Sequence, residues 1–257
     1  MSTAKKIAVA GATGRVGRHL VDILEAEGHE VAAISRSRGV DVITRDGLAE
    51  ALAGAETIVD AATGPSPEEQ AATEFFTTAA RNLQEEGQRA GVKRIVVVSI
   101  IGSDRFAGGY GAAKVAHEQA AFSGPIPALV LRAAQFHELV AQLMEWGARG
   151  EVTYVPRMRT QLVAARTVAQ ALADLATASN GAASSEPPIL EIAGPREERL
   201  VEMATLLAAR RGDAVRIEEA GDPADPAQAV YDSGALLPGP GATLAGPTFE
   251  AWLDEAA

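Results

Sequence analysis

The sequence contains no cysteine, which removes disulfides, thiolate nucleophiles and cysteine-held metals from consideration. Histidine is scarce too: His19, His29, His117 and His137 have no chelating spacing, so no metal site is expected. No apolar run reaches membrane-spanning length, and the N-terminal lysines are not followed by the apolar stretch of a secretion signal. A cytoplasmic location, with no membrane partner, is the expectation. Positive charge is also short. The 23 Lys and Arg face 34 Asp and Glu, a formal net charge of −11, which argues against a nucleic-acid partner because phosphate backbones recruit basic surfaces. It does not argue against a dinucleotide, whose phosphates are met by backbone N–H groups and a few arginines.

What is present is apolar and small. Hydrophobic residues make up 47% of the 257 and charged residues 22%, enough for a sizeable core in one α/β domain or a domain with a small lobe. The chain is organised around Ile7-Ala8-Val9-Ala10 followed at once by Gly11, Gly14 and Gly17. After them Leu20, Val21, Ile23 and Leu24 recur at helical spacing. This reads as strand, glycine turn and helix. Gly11 lets the chain turn, Gly14 lets backbone approach a pyrophosphate, and Gly17 lets the helix lie close on the strand. The helix N-terminus then faces the phosphates. A second strand, His29 to Ile34, ends at Ser35-Arg36-Ser37-Arg38. In a dinucleotide fold an acid here signals NAD and an arginine NADP, so NADP(H) is expected, with NAD(H) as the alternative. Arg36 suits a 2′-phosphate through its planar fork, with Arg15 on the other side of that pocket.

Further strands are expected at Val40–Ile43, Thr57–Ala62, Arg94–Gly102 and Pro127–Arg132, with helices at Leu48–Leu52 and Pro67–Ala90. The Val40–Ile43 strand follows the second too closely for an ordinary parallel crossover. Tyr110 and Lys114 stand one helical turn apart, a spacing at which an ammonium lowers the tyrosine pKa and prepares its hydroxyl for proton transfer. After Gln135-Phe136-His137 come a helix from Leu139, a strand at Val152–Pro156, a helix at Leu162–Ala176, a strand at Ile189–Ile192, a helix at Leu200–Arg210, a strand at Val215–Ile217 and a helix at Thr248–Glu255. A proline- and glycine-rich stretch, Pro223–Gly246, precedes the last.

The run Gly11-Ala12-Thr13-Gly14-Arg15-Val16-Gly17, the Tyr110-x-x-x-Lys114 pair and Leu131-Arg132-Ala133-Ala134-Gln135-Phe136-His137 together resemble the atypical short-chain dehydrogenase/reductases, in particular their NmrA-like, quinone- and dye-reductase branch. The resemblance implies a doubly wound parallel Rossmann sheet with helices on both faces, residues 1–136, and a smaller α+β substrate lobe, residues 137–257, with a cleft between. It implies NADPH-dependent hydride transfer to a quinone or an aromatic, polyketide-like ketone. Tyr110 would be the proton donor, Lys114 its support and ribose contact, and Ser99 the third catalytic member. Ser103 is the alternative, and the usual position of that serine carries Ile101. Cofactor contacts would come from residues 11–17, Arg36, Ala61, Ala62, Lys114 and Ala134. Substrate contacts would come from Gln135, Phe136, His137, Tyr154 and Met158. Alternatives are an NADP(H)-sensing regulator without turnover, or an epimerase or dehydratase acting on a nucleotide sugar. A homodimer is expected by analogy.

Overall fold

The computed structural model describes residues 4–178, 189–221 and 226–255. In chain order the first elements are β1 (Lys6–Ala10), α1 (Gly17–Ala26), β2 (Glu30–Ile34), α2 (Leu48–Leu52), β3 (Thr57–Asp60), α3 (Glu69–Ala90), β4 (Arg94–Ile100), α4 (Gly109–Phe122) and β5 (Ala128–Ala133). Next come α5 (His137–Gly147), β6 (Ala148–Arg149), β7 (Val152–Pro156), β8 (Arg159–Thr160), α6 (Ala165–Thr177), β9 (Ile189–Ala193) and β10 (Glu198–Arg199). The chain closes with α7 (Leu200–Arg211), β11 (Arg216–Ala220), α8 (Pro226–Asp232), β12 (Thr243–Leu244) and α9 (Phe249–Glu255). The central sheet is parallel and seven-stranded, in the order β12-β9-β5-β4-β3-β1-β2, a Rossmann-like α/β fold. The chain divides into two compact units that interleave along the sequence. The first holds Met1–Ser99, Gly108–Arg132 and Val168–Leu190, the second Ile100–Ala107, Ala133–Thr167 and Glu191–Ala257.

The first unit follows from its apolar pattern. β1 is buried along almost its whole length, and α1 turns Leu20, Val21, Ile23 and Leu24 inward while Arg18, Asp22 and Glu25 stay exposed. Ile34, Leu48, Leu52, Ile58, Leu83, Ile95, Val97 and Val130 form one core cluster, each such side chain contributing about 1.5–3 kcal/mol when fully buried. α3 stops at Gly91, which takes the left-handed conformation (φ +77°). Glu69, in the first turn of α3, does more than suit its own helix dipole. Its Oε2 accepts the Gly109 N–H at 2.7 Å and so caps α4, whose own N-terminal residues supply no side-chain cap.

The expected strand at Val40–Ile43 does not form. Asp41 Oδ1 accepts the N–H of Ile43 at 2.7 Å, and Asn82 Nδ2, from α3, donates to the Val42 and Ile43 carbonyls at 2.8 and 2.9 Å. These side chains consume the backbone groups a strand would offer to a ladder. The difficulty of a short parallel crossover therefore disappears: β2 is the sheet edge, and Thr57–Asp60 is the third strand rather than the fourth. Arg45 anchors the same loop through Asn82, Glu85 and Glu86 and holds φ at +70°.

In the second unit β11, β7 and β6 form a three-stranded sheet, with β7–β11 parallel and β6–β7 antiparallel. Its core gathers Val140, Met144, Val155, Leu162, Leu200, Met203, Leu207 and Phe249. Within the proline- and glycine-rich stretch, Pro226–Asp232 is helical (α8), and Asp232 forms a forked ion pair with Arg157. Proline at the first helical position loses no hydrogen bond, because that N–H has no intrahelical partner.

Candidate cofactor and catalytic site

The glycine turn is shaped by backbone contact. Gly11 lies at φ +75°, and a Cβ there would stand 2.5 Å from the Ala61 carbonyl oxygen. A Cβ on Gly17 would collide with the Gly11 carbonyl oxygen, and one on Gly14 would reach that same oxygen at 3.1 Å. The Gly11 and Ala12 N–H groups both donate to Ile34 O, at 3.0 and 3.2 Å, which fastens the end of β2 to the turn. α1 begins there with no side-chain cap and no acid in its first turn, so its positive dipole end is uncompensated by its own residues. A bare cradle at an uncapped helix start fits a dinucleotide pyrophosphate. Ala12, Thr13, Arg15 and Val16 occupy the loop between the glycines, and Ala61 and Ala62, just after β3, abut it.

Arg36 and Arg38 sit in a short 3₁₀ turn, two and four residues beyond the fastened Ile34. Both are exposed, and neither guanidinium has an ion-pair partner among the described residues.

α4 carries Tyr110 and Lys114, but their relation differs from the expected one. Lys114 is buried, and its Nζ donates to the Val98 carbonyl at 2.7 Å and contacts His117 Nδ1 at 2.9 Å. It also lies 4.3 Å from the centroid of the Phe76 ring. The half-buried Tyr110 meets the same ring edge-on, with centroids 5.7 Å apart. Burial pushes the Tyr110 pKa above 10, and the lysine is not among its causes. The expected lowering of that pKa by Lys114 is not seen: burial raises it, and two of the three ammonium donors go to Val98 and His117, leaving one. Lys114 itself is pulled down to about 8, by burial first, with Asp60 and Glu118 opposing.

Two residues of this network carried no role in the sequence reading. His117 Nε2 contacts Asp60 Oδ2 at 2.9 Å, and both side chains are essentially inaccessible. The signals that could have exposed them are His117 three residues after Lys114 on one helix face, and an acid at the carboxyl end of a parallel strand. Beside them Arg132 grips Glu118 with two bonds, of 2.9 and 2.7 Å. Ser99, in the same unit, has a buried Oγ with no hydrogen-bond partner among the described residues. So does Ser103, in the second unit.

The remaining expected residues lie in the second unit. Ala134 is buried, with its N–H on Ile192 O at 2.9 Å. Gln135 Oε1 accepts from Thr160 Oγ1 at 2.8 Å, Phe136 is half-buried at the start of α5, and Tyr154 is exposed. His137 does not face solvent at all. It is 0% exposed, contacts Leu162 O through Nε2 at 3.0 Å and packs edge-on against Phe249 and Trp252. Met158 is likewise part of that unit's core. Neither geometry offers a substrate contact.

Comparison with known proteins bears on the fold. Residues 11–123 match a family model described as NAD(P)H-binding, which covers the glycine cradle, Arg36, Asp60, Tyr110, Lys114 and His117. No curated protein matches the chain. Among solved structures, MoeE5 in complex with UDP-glucose and NAD is similar at TM-score 0.70 and 19% identity, over 98% of this chain and 100% of that one. A UDP-N-acetylglucosamine 4-epimerase from Bacillus cereus gives 0.69 and 16%, over 98% and 95%. A short-chain dehydrogenase/reductase superfamily protein from Agrobacterium tumefaciens with bound NAD gives 0.65 and 17%, over 98% and 95%. At these identities the likeness is one of fold.

Proposed function

We propose that the chain is an NADPH-dependent reductase acting on a planar quinone or aromatic ketone, with Tyr110 as proton donor and Lys114 as its electrostatic support. The observation that carries this reading is that Tyr110 and Lys114 meet one Phe76 ring inside the unit that holds the glycine cradle. A bound nicotinamide would supply the hydride. Tyr110, its pKa raised by burial, keeps its proton through the neutral range and can donate it to an oxyanion. Lys114, charged at neutral pH, stabilises the phenolate left behind. The unpartnered Ser99 Oγ has a donor free for the substrate oxygen. Arg36, exposed at the end of β2, is the clamp for a 2′-phosphate and the basis of the NADP preference. Gln135, Phe136 and Tyr154 are retained as substrate contacts, whereas the packed His137 and Met158 are not.

A second reading, oxidation–reduction on a nucleotide sugar, draws on the similarity in fold to proteins solved with UDP-glucose and UDP-glucuronic acid. Oxidation of NADPH, and separately NADH, by the purified chain with quinones and polycyclic aromatic ketones, set beside reduction of NADP+ and NAD+ with UDP-sugars, tests both. Turnover of a quinone or ketone that prefers NADPH, loses the preference in Arg36→Ala and falls about 100-fold or more in Tyr110→Phe is the expected result. Turnover confined to a UDP-sugar would move the conclusion to the second reading. Cofactor binding with no turnover would instead indicate a regulator.

A further inference from the structure

The hydrogen-bond order beneath Lys114 is fixed by chemistry. An ammonium can only donate, so the 2.9 Å contact with His117 Nδ1 uses that nitrogen's lone pair. The ring proton then sits on Nε2 and is donated to Asp60 Oδ2 at 2.9 Å. Asp60 Oδ1 accepts the Ala62 N–H at 3.1 Å, so both carboxylate oxygens are satisfied. The chain of groups reads cation, neutral imidazole, carboxylate, and its charges cancel within the buried interior of the unit. Phe76 seals it from α3: its ring is stacked on His117 at 4.7 Å and 16°, and the lysine lies over it.

The other charged groups around the lysine are engaged elsewhere. Glu118, on α4, is held by Arg132 of β5 through two bonds. Glu69, on α3, is bound to the Gly109 N–H, and Tyr110 on α4 is neutral. Asp60 of β3 is the carboxylate tied to the lysine by a continuous hydrogen-bond path. An ammonium buried this deeply, without such a partner, would lose its proton.

We propose that Asp60 and His117 are positioning residues for Lys114: the Asp60 carboxylate, acting through the neutral His117 ring, keeps the buried lysine charged and aimed, and so sets the pH range over which it supports Tyr110. This rests on the reading of Lys114 as the support of a catalytic tyrosine. The anchor itself can be observed without turnover.

The experiment follows the Lys114 ammonium by NMR in full-length protein carrying ¹⁵N-labelled lysine side chains, across pH, in wild type and Asp60→Asn. The amide keeps the size and an acceptor for His117 Nε2–H but not the charge. The Lys114 midpoint is expected to fall by about one pH unit or more, and the alkaline limb of the kcat/KM profile to move down with it. An unchanged midpoint overturns the proposal, as does a moved midpoint with an unmoved profile. If Asp60→Asn does not fold, His117→Leu and His117→Gln decide the point. Leu should lower the midpoint, and Gln, which retains a donor and an acceptor, should restore it in part; equal midpoints in the two refute the role of the ring. Absence of turnover in the wild type counts against the reductase reading alone, while the midpoint still decides the anchor.

Discussion

Replacing Lys114 with methionine removes the ammonium and keeps most of the volume of its stem. Burial, opposed by Asp60 and Glu118, brings the lysine pKa from 10.5 to about 8 in the folded protein. The unfolded chain keeps its proton until about 10.4. Between these values the unfolded state binds more protons than the folded one, so stability rises with pH. At about 1.4 kcal/mol per pH unit, the whole interval is worth about 3 kcal/mol, of which about 2 kcal/mol falls between pH 8 and 10. The methionine variant lacks this dependence. Urea unfolding of both proteins at pH 8, 9 and 10 measures the difference, wild type minus variant, which should climb by about 2 kcal/mol across the series. A difference that stays flat within about 0.5 kcal/mol would refute the reasoning, because Lys114 would then be titrating like a solvated side chain.

Arg132→Met leaves the Glu118 carboxylate buried without its forked partner and should cost about 3–5 kcal/mol in the same unfolding assay at neutral pH; a loss under about 1 kcal/mol would show that the pair is not desolvated. Burial raises the Glu198 pKa, outweighing Arg196, so the folded state favours the protonated acid and the carboxylate lowers stability once pH exceeds the ordinary glutamate value of about 4.3. Glu198→Gln should therefore raise Tm at pH 7 and change it little at pH 4, and an equal change at both would contradict this. Gly17→Ala drives a Cβ into the Gly11 carbonyl, whereas Gly14→Ala makes only a tight contact of 3.1 Å. Fluorescence titration with NADPH should show the first variant far weaker than the second, and similar affinities would contradict the steric account.

The parts of the fold that were legible are those settled by local chemistry. The buried run of β1, the glycine turn, the α1 stripe and the apolar β4 stand where their patterns place them. α2 matches at both ends, and Gly91 terminates α3 as expected. What was hidden depends on partners distant in the chain. Val40–Ile43 has strand composition, but Asn82, some 40 residues on, takes its carbonyls. Similarly, the Tyr110–Lys114 spacing is plain in the sequence, yet the direction of the lysine is decided by Asp60, 57 residues before His117. The glycine cradle can be read from contiguous residues, whereas the surroundings of Lys114 need the sheet to be assembled first. α8 is not marked in the sequence, because it lies in a stretch rich in proline and glycine, although Pro226 opens it.

The single carbonyl of Gly11 faces the places where side chains at both Gly14 and Gly17 would begin, and Gly11 is itself confined by the Ala61 backbone. Gly14 and Gly17 therefore answer to one carbonyl, and Gly11 to its own left-handed φ and to Ala61. Room made at the Ala61 backbone would reach Gly11 alone, whose φ of +75° still disfavours any other residue, whereas Gly17 is freed only if the Gly11 carbonyl itself moves.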